Sequence, residues 1–297
     1  MFARNDTLLT MRCLKLVTAL VVAQLLFGCA TPKRDDYAQY FASDQTVDLS
    51  DKALVVALKQ DVQVRFRGAY DSNNDTGQGV VMYEGSAGTE GLILQLMAHA
   101  AISSNMQNSK LSQQQIRANK VLLPLQDVLQ EFRQNALIHD ANGYQFAGDS
   151  IDEGIKLESR PIFFLSQDLN SISLKHFVKA YQPDQEQVLY QNMIEVISPT
   201  INVKEPYKAL NKNRGELLMT MAKNLYKSSL SLAVADINGE YKNKAAPQKS
   251  FRIEQGDQVR VERGVSIDQQ QDQAIIRNLR GWLVAFPNGN GKDKTDG

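Results

Sequence analysis

The sequence has little cysteine and no excess of charge of either sign. Of its 297 residues only Cys13 and Cys29 are cysteines, and Lys plus Arg balance Asp plus Glu at 33 each. Such a balance leaves no electrostatic footprint for nucleic acid, so no nucleic-acid partner is expected. The hydrophobic fraction of 43% and the charged fraction of 22% are ordinary for a folded globular protein with a proper core.

Motifs that bring catalytic or metal-binding residues together are also missing. The three histidines stand alone, without the HxxxH or HExxH spacing that would place two imidazole nitrogens on one metal ion; they are His99, His139 and His176. No GxSxG sequence is present to hold a serine nucleophile at a strand-to-helix turn. We therefore predict no metal and no cofactor, and we expect each histidine to be a core or surface residue.

The N-terminal apolar run is too short to cross a membrane. Residues 16–27 are mostly apolar and follow the basic Arg12 and Lys15, whereas a membrane-spanning helix needs about 20 apolar residues. A basic start followed by a short apolar run is typical of a secretory signal peptide. Because residues 1–10 add nothing that a signal needs, Met11 is an alternative to Met1 as the start of translation.

This run ends in Leu26, Phe27, Gly28 and Cys29, which resembles the lipobox of bacterial lipoproteins: an aliphatic residue at minus three, a small residue at minus one, then cysteine. The resemblance implies cleavage between Gly28 and Cys29, with a diacylglycerol carried on the Cys29 thiol. Two or more acyl chains anchor a protein stably. Ala30 in the second mature position implies, by the same resemblance, export to the outer membrane.

Lipidation of this kind would leave the mature chain without a free thiol. Cys13 would be removed with the signal and Cys29 acylated, so neither a disulfide nor a cysteine nucleophile is expected, although the periplasm permits disulfides. The first 28 residues carry three basic side chains and one acidic side chain, so the mature net charge is about −2 by counting. Stability is expected to come from packing alone.

Composition divides the chain into four segments. Residues 1–28 are the expected signal peptide, and residues 29–48 the lipidated N-terminus with a polar, flexible tether. Residues 49–287 contain no clear linker and are expected to form one periplasmic domain. Residues 288–297 are expected to be a disordered tail.

The first part of the domain is predicted to form strands followed by helices. Residues 53–58 and 62–66 predict a β-hairpin, and residues 80–83 a third strand. Apolar residues recur with helical spacing from Gly91. A second helix is predicted from Ser112, whose hydroxyl can cap it.

Pro124 lies inside the apolar stripe of this second helix. Because proline removes a backbone donor, it should kink the helix or split it in two. Four alternating segments then predict an antiparallel meander; they are residues 155–157, 161–165, 171–181 and 188–197.

The C-terminal part predicts one more helix and further strands. An amphipathic helix is expected from Gly215 to about Ser229, reaching as far as Asp236, with Asn238 and Gly239 ending it. A hairpin is expected from residues 251–253 and 259–263, and a last strand near residues 275–286. Strand runs interrupted by helices, without βαβ alternation, predict an α+β fold: an antiparallel sheet of meander and hairpins, packed with about three amphipathic helices.

Two loop patterns resemble ligand sites but miss the required spacing. Asp71, Asn73 and Asp75 alternate as in a calcium loop, yet an EF-hand needs glycine and glutamate where this chain has Thr76 and Met82. A solvated turn is therefore favoured. A glycine run with GxxGxxG spacing precedes a helix but does not match the GxGxxG of a dinucleotide loop; it consists of Gly85, Gly88 and Gly91. A flexible connection or close helix packing is favoured there over anion binding.

Three further features each have both a functional and a purely structural explanation. A glycosidase needs two carboxylates at a fixed separation, and one acidic cluster offers candidates, although an acidic turn is favoured; it consists of Asp149, Asp152 and Glu153. The apolar helix 92–106 is expected to fill the core rather than face a membrane or partner. Arg277, Arg280 and Trp282 suit either a binding patch or an exposed strand face with one snorkelling aromatic.

Together these features predict an envelope lipoprotein with a binding or assembly role in the periplasm. Its expected partners are the membrane, through acylated Cys29, and an envelope protein. Two alternatives stay open: a periplasmic hydrolase whose catalytic residues meet only in the fold, and a lipid- or small-molecule-binding module. Beyond the signal, no residue pattern resembles a characterised family.

Overall fold

The computed structural model describes residues 54–58, 62–69, 113–138, 145–147, 154–182, 188–242, 246–269 and 272–288. Within them, ten strands join in one sheet. The strands are β1 Leu54–Ala57, β2 Arg65–Gly68, β3 Gln145–Ala147, β4 Ile155–Leu165, β5 Ile172–Tyr181, β6 Val188–Ile197, β7 Gln248–Gln255, β8 Gln258–Gln269, β9 Gln273–Asn278 and β10 Leu283–Pro287. The α-helices include Gln126–Glu131, Asn135–Ile138, Pro206–Asn211 and Glu216–Ile237, with 3-10 turns at Asn119–Leu125 and Lys212–Gly215; residues 113–118 are also helical. We call Glu216–Ile237 the long helix.

The sheet is mixed, and its order is β3-β1-β4-β5-β6-β10-β9-β8-β7, with β2 also on β4. Strands that are close in sequence, such as β4–β5, β5–β6 and β7–β8, pair antiparallel. The pairs β1–β3, β1–β4, β2–β4 and β6–β10 are parallel. The α+β class is confirmed, but a purely antiparallel sheet is wrong, because the parallel pairs join segments that are distant in sequence.

The predicted hairpin of residues 53–58 and 62–66 does not form. β1 and β2 both lie parallel to β4, with Leu54 opposite Ile155 and Arg65 opposite Ile162. At 11 residues, β4 is long enough to pair with the two strands one after the other. Between the two strands Val64 lies off the sheet, and its amide donates to the Phe132 carbonyl at 2.9 Å.

β4 itself is one strand where two were predicted, 155–157 and 161–165. Pro161 lies inside it, between the last residue paired with β1, Glu158, and the first paired with β2, Ile162. Proline is tolerated in a sheet where a strand edge is open. Among the described residues β4 has such an opening at its proline, which is why the strand continues through it.

The long helix matches its prediction closely. It begins at Glu216 and ends at Ile237, with Asn238 as the C-cap and Gly239 at φ 79°. Glycine in this left-handed conformation is the usual helix stop. Its buried residues recur every three or four positions and pack on β5 and β6; among them are Leu218, Ala222, Leu225, Tyr226, Ser229, Leu230, Ala233, Asp236 and Ile237.

The predicted split at Pro124 is also confirmed. Residues 113–118 are helical, a 3-10 turn containing Pro124 follows, and an α-helix resumes at Gln126. The 3-10 turn and the helix after it bury Leu122, Leu125, Val128 and Leu129 in the main core.

The C-terminal hairpin forms as predicted, whereas the predicted last strand is two. β7 and β8 meet at a two-residue turn, Gly256–Asp257, with Gln255 opposite Gln258. Gly256 has φ 63°, which suits the first turn position of a tight hairpin. Residues 275–286 contain the separate strands β9 and β10, which turn back at residues 279–282.

The β7–β8 hairpin folds over the face of the sheet that lies opposite the long helix. Gln255 Nε2 donates to Ser173 Oγ of β5 at 2.8 Å, although five strand-to-strand steps, about 24 Å in a flat sheet, separate β7 from β5. The sheet must therefore curl. The long helix covers its convex face, and the hairpin covers part of its concave face by packing Ile253 into a cluster with Ile197 and Ile276.

Candidate functional site

A chain of polar side chains crosses the core between β4, β5 and the long helix. Ser159 Oγ lies 2.8 Å from Tyr226 Oη and 2.8 Å from His176 Nε2. On the other side of the ring, His176 Nδ1 lies 2.8 Å from Ser229 Oγ, which donates to the Tyr226 carbonyl at 2.8 Å. All four side chains are buried. We call these residues the Ser–His network.

The direction of each hydrogen bond follows from the number of protons available. Ser229 uses its only proton on the Tyr226 carbonyl, so its oxygen accepts from His176 Nδ1–H. His176 Nε2 is then an acceptor, which takes the Ser159 proton and leaves the Ser159 oxygen to accept from Tyr226. Every donor is used once, and aligned chains of this kind strengthen their members.

Ser159 and His176 have the separation of a nucleophile and its base but not the surroundings. Burial lowers the pKa of the His176 imidazole from 6.5 to about 3. A general base works best with a pKa near the working pH. The third group is the Ser229 hydroxyl instead of a carboxylate that would stabilise an imidazolium. The network is therefore suited to holding the long helix in register on the sheet.

A second polar junction ties the end of the long helix to β6 and β9. Asp236 Oδ2 accepts from Tyr190 Oη at 2.8 Å and from Asn192 Nδ2 at 3.1 Å, while Oδ1 accepts from Arg277 Nη2 at 2.5 Å. Burial, and secondly the Asp236 charge, raise the pKa of Tyr190 well above its ordinary range. The Tyr190 hydroxyl therefore stays protonated, and it remains a donor to the carboxylate.

A third junction lies on the concave face, between β6 and the folded-over hairpin. Arg260 Nη2 lies 2.5 Å from Glu195 Oε2, and Lys175 is opposite Glu195 across β5–β6. Burial would raise the pKa of the Glu195 carboxyl, but the charges of Arg260 and Lys175 outweigh it and lower the pKa. Glu195 therefore stays ionised and holds β8 against β6.

The structure places His176 in the core, which is one of the two locations, core or surface, that the sequence predicts for each histidine. It contradicts an exposed strand face for Arg277, Arg280 and Trp282. Arg277 pairs with Asp236, and Trp282 is buried, with the Arg280 guanidinium carbon 4.7 Å from the centre of its ring. The misassignment arose because a turn, rather than one continuous strand, separates Arg277 from Trp282.

Every other candidate from the sequence lies outside the described residues. They are Gly28, Cys29, Asp71, Asn73, Asp75, Gly85, Gly88, Gly91, His99, His139, Asp149, Asp152 and Glu153, together with residues 80–83 and 92–106.

The sequence does contain signals that would have identified the junction residues. Tyr226, Ser229 and Asp236 are polar groups on the buried stripe of the long helix, and Glu195 is a charge inside the apolar run Met193–Ile197. A polar group in a buried pattern needs a partner. The identity of the partner, such as Ser159 for Tyr226, depends on the folded arrangement.

Among the described residues, no group of three metal-ligating side chains comes together. No described helix combines the length and apolar character required to span a membrane. Comparison with protein-family models, with curated proteins and with solved structures yields no match to this chain.

Proposed function

We propose that this chain is a lipoprotein of the cell envelope that is anchored through acylated Cys29 and acts by binding or assembly in the periplasm. The observation that carries the proposal is the sequence Leu26–Cys29, which meets a basic, apolar signal of the right length. Ala30 supports the outer membrane as its destination, with the domain facing the periplasm.

A binding role is supported by the structural role of the buried polar groups. The Ser–His network, the Asp236 junction and the Glu195–Arg260 pair each join elements that are far apart in sequence. These ionisable groups are engaged in holding the fold together. Within the described residues, the buried ionisable groups therefore serve the fold, and this favours a binding role over catalysis.

The two cysteines offer a matched test of the anchor. Cells expressing Cys29→Ser should accumulate unprocessed precursor and incorporate no radiolabelled palmitate into the protein. Cys13→Ser should be processed and labelled like the parent chain, because that residue lies within the removed signal. Equal labelling of the two variants, or unchanged processing in Cys29→Ser, would refute the anchor.

The assembly role needs a separate experiment. Crosslinking in intact envelopes, followed by affinity capture of the full chain, should recover a complex that contains a second envelope protein. Recovery of the free monomer alone under mild conditions would count against assembly while leaving the anchor intact.

A further inference from the structure

The outer side of the β7–β8 hairpin carries exposed and partly exposed aliphatic and basic side chains. Along β8, Val259, Val261, Arg263 and Val265 alternate on one side, and Leu279 follows β9 next to Arg263. Val261 is 64% exposed and Leu279 61% exposed. We call these five residues together with Arg252, which lies opposite Val261 across the hairpin, the valine face.

This face points outward because the alternate residues of the same strands point inward. Arg260 contacts Glu195 of β6, and Ile253 is fully buried against the concave side. Successive strand residues point to opposite sides, so Val261 and Arg252 must face away from the sheet. Folding therefore leaves a surface on which apolar side chains alternate with positive charge.

The charge of the valine face suits an anionic surface. Arg252 and Arg263 are both exposed and flank Val261. The acidic Glu254 shares this side but lies at the turn end of β7, opposite Val259. Apolar side chains are favoured in the bilayer interface, and each basic side chain near an anionic surface adds about 1 kcal/mol.

The valine face has few exposed apolar side chains for a protein interface. Val261 and Leu279 are its only two large hydrophobic side chains that are mostly exposed, whereas a stable protein interface buries roughly 800 Å² on each partner. A bilayer that already holds the chain through Cys29 needs far less buried apolar area to keep the domain docked. Between Cys29 and Leu54 the chain can span at most about 90 Å, and tethering at such range supplies an effective concentration of the order of millimolar.

We propose that the valine face docks on the bilayer in which Cys29 is anchored, with Val261 and Leu279 in the interface and Arg252 and Arg263 on anionic headgroups. This inference rests on the proposed function, because without the anchor the patch is too small to hold the protein on a membrane. Docking would fix the domain with its valine face toward the lipid.

The scarcity of cysteine makes a clean probe possible. In the mature chain with Cys29 acylated, Val261→Cys introduces the one free thiol, which can carry an environment-sensitive fluorophore. Leu123→Cys is the matched control: Leu123 is 56% exposed and lies on the 3-10 turn that packs on β2, near the other end of the sheet. The unsubstituted chain should take up no label.

The full mature lipoprotein is reconstituted into vesicles of phosphatidylethanolamine and phosphatidylglycerol, with and without spin-labelled lipid. The emission of the fluorophore at position 261 should shift to the blue and be quenched by the spin-labelled lipid, while the fluorophore at 123 stays unchanged. Leu279→Cys supplies a second reporter that should behave like 261. Replacing Arg252 and Arg263 by Gln should lower the docked-to-undocked ratio roughly fivefold for each charge.

Failure of the anchor and failure of docking give different results. If Cys29 is not acylated, the unsubstituted chain takes up label and does not float with the vesicles. If the protein floats but the fluorophores at 261 and 279 respond like the one at 123, docking is overturned and the anchor stands.

Discussion

Acid should destabilise this protein through one buried imidazole, His176. The ring is fully buried, and its pKa falls from 6.5 to about 3 because burial disfavours the charged form. Above pH 6.5 both the folded and the unfolded chain hold His176 neutral. Between pH 6.5 and 3 only the unfolded chain binds the proton, so the free energy of unfolding falls as the pH is lowered.

The size of this effect follows from the two pKa values. Each pH unit below 6.5 removes about 1.4 kcal/mol, so the change from pH 7.5 to pH 5 removes about 2 kcal/mol through His176 alone. That is a large part of the 5–15 kcal/mol by which a domain is typically stable, taken as a rough range.

Urea unfolding at a series of pH values, followed by the fluorescence of Trp282, measures the loss. Trp282 is the single tryptophan of the chain and is buried, so its emission should report the loss of tertiary structure. His176→Gln is the comparison variant, because it retains His99 and His139. The parent should lose about 2 kcal/mol more than the variant between pH 7.5 and 5. Parallel pH profiles would refute the assignment of a neutral, structural imidazole.

Three substitutions test other contacts that hold the fold together. Asp236→Ala leaves Arg277 without its carboxylate and should cost about 3–5 kcal/mol in urea unfolding; a loss below about 1 kcal/mol would show that the junction does not hold the helix end. Tyr226→Phe removes the first donor of the Ser–His network and should cost about 1–2 kcal/mol, and an unchanged unfolding midpoint would contradict the network. Gly256→Ala would bring its Cβ into a clash with Asp168 Oδ1 at φ 63° and should lower the melting temperature, by several degrees for a cost of about 1–3 kcal/mol; a melting temperature equal to the parent's would contradict the close packing of the hairpin turn.

The parts of the fold that the sequence predicts well are those with local causes. The stop at Asn238–Gly239, the break at Pro124 and the Gly256–Asp257 turn each depend on the backbone preferences of a few adjacent residues. The two hairpin strands meet through such a turn, so their pairing could be predicted from the sequence alone.

The parallel pairings could not be predicted in this way. β1 and β2 have the alternation of a hairpin, yet β4, about 100 residues further on, is long enough to pair with both. Nothing near residues 54–68 encodes that length. The pairing of β10 with β6 is equally non-local. The turn that divides residues 275–286 into β9 and β10 is local by contrast, and it contains Gly281 at φ 80°.

At the polar junctions, too, one part can be predicted from the sequence and the other depends on the fold. Asp236 and Glu195 stand out in the sequence as charges in buried patterns, but their partners Arg277 and Arg260 are 41 and 65 residues away. Sequence reasoning can thus identify a buried polar group that needs a partner. It cannot choose the partner, because the choice depends on how the sheet curls.

The central claim is that Cys29 is the acylated first residue of the mature protein. Mass spectrometry of the N-terminal peptide from the purified mature chain tests this most directly. The peptide should begin at Cys29 and carry a diacylglycerol on the sulfur and a third acyl chain on the amine. A mature chain that begins elsewhere, or an unmodified Cys29, would contradict the account.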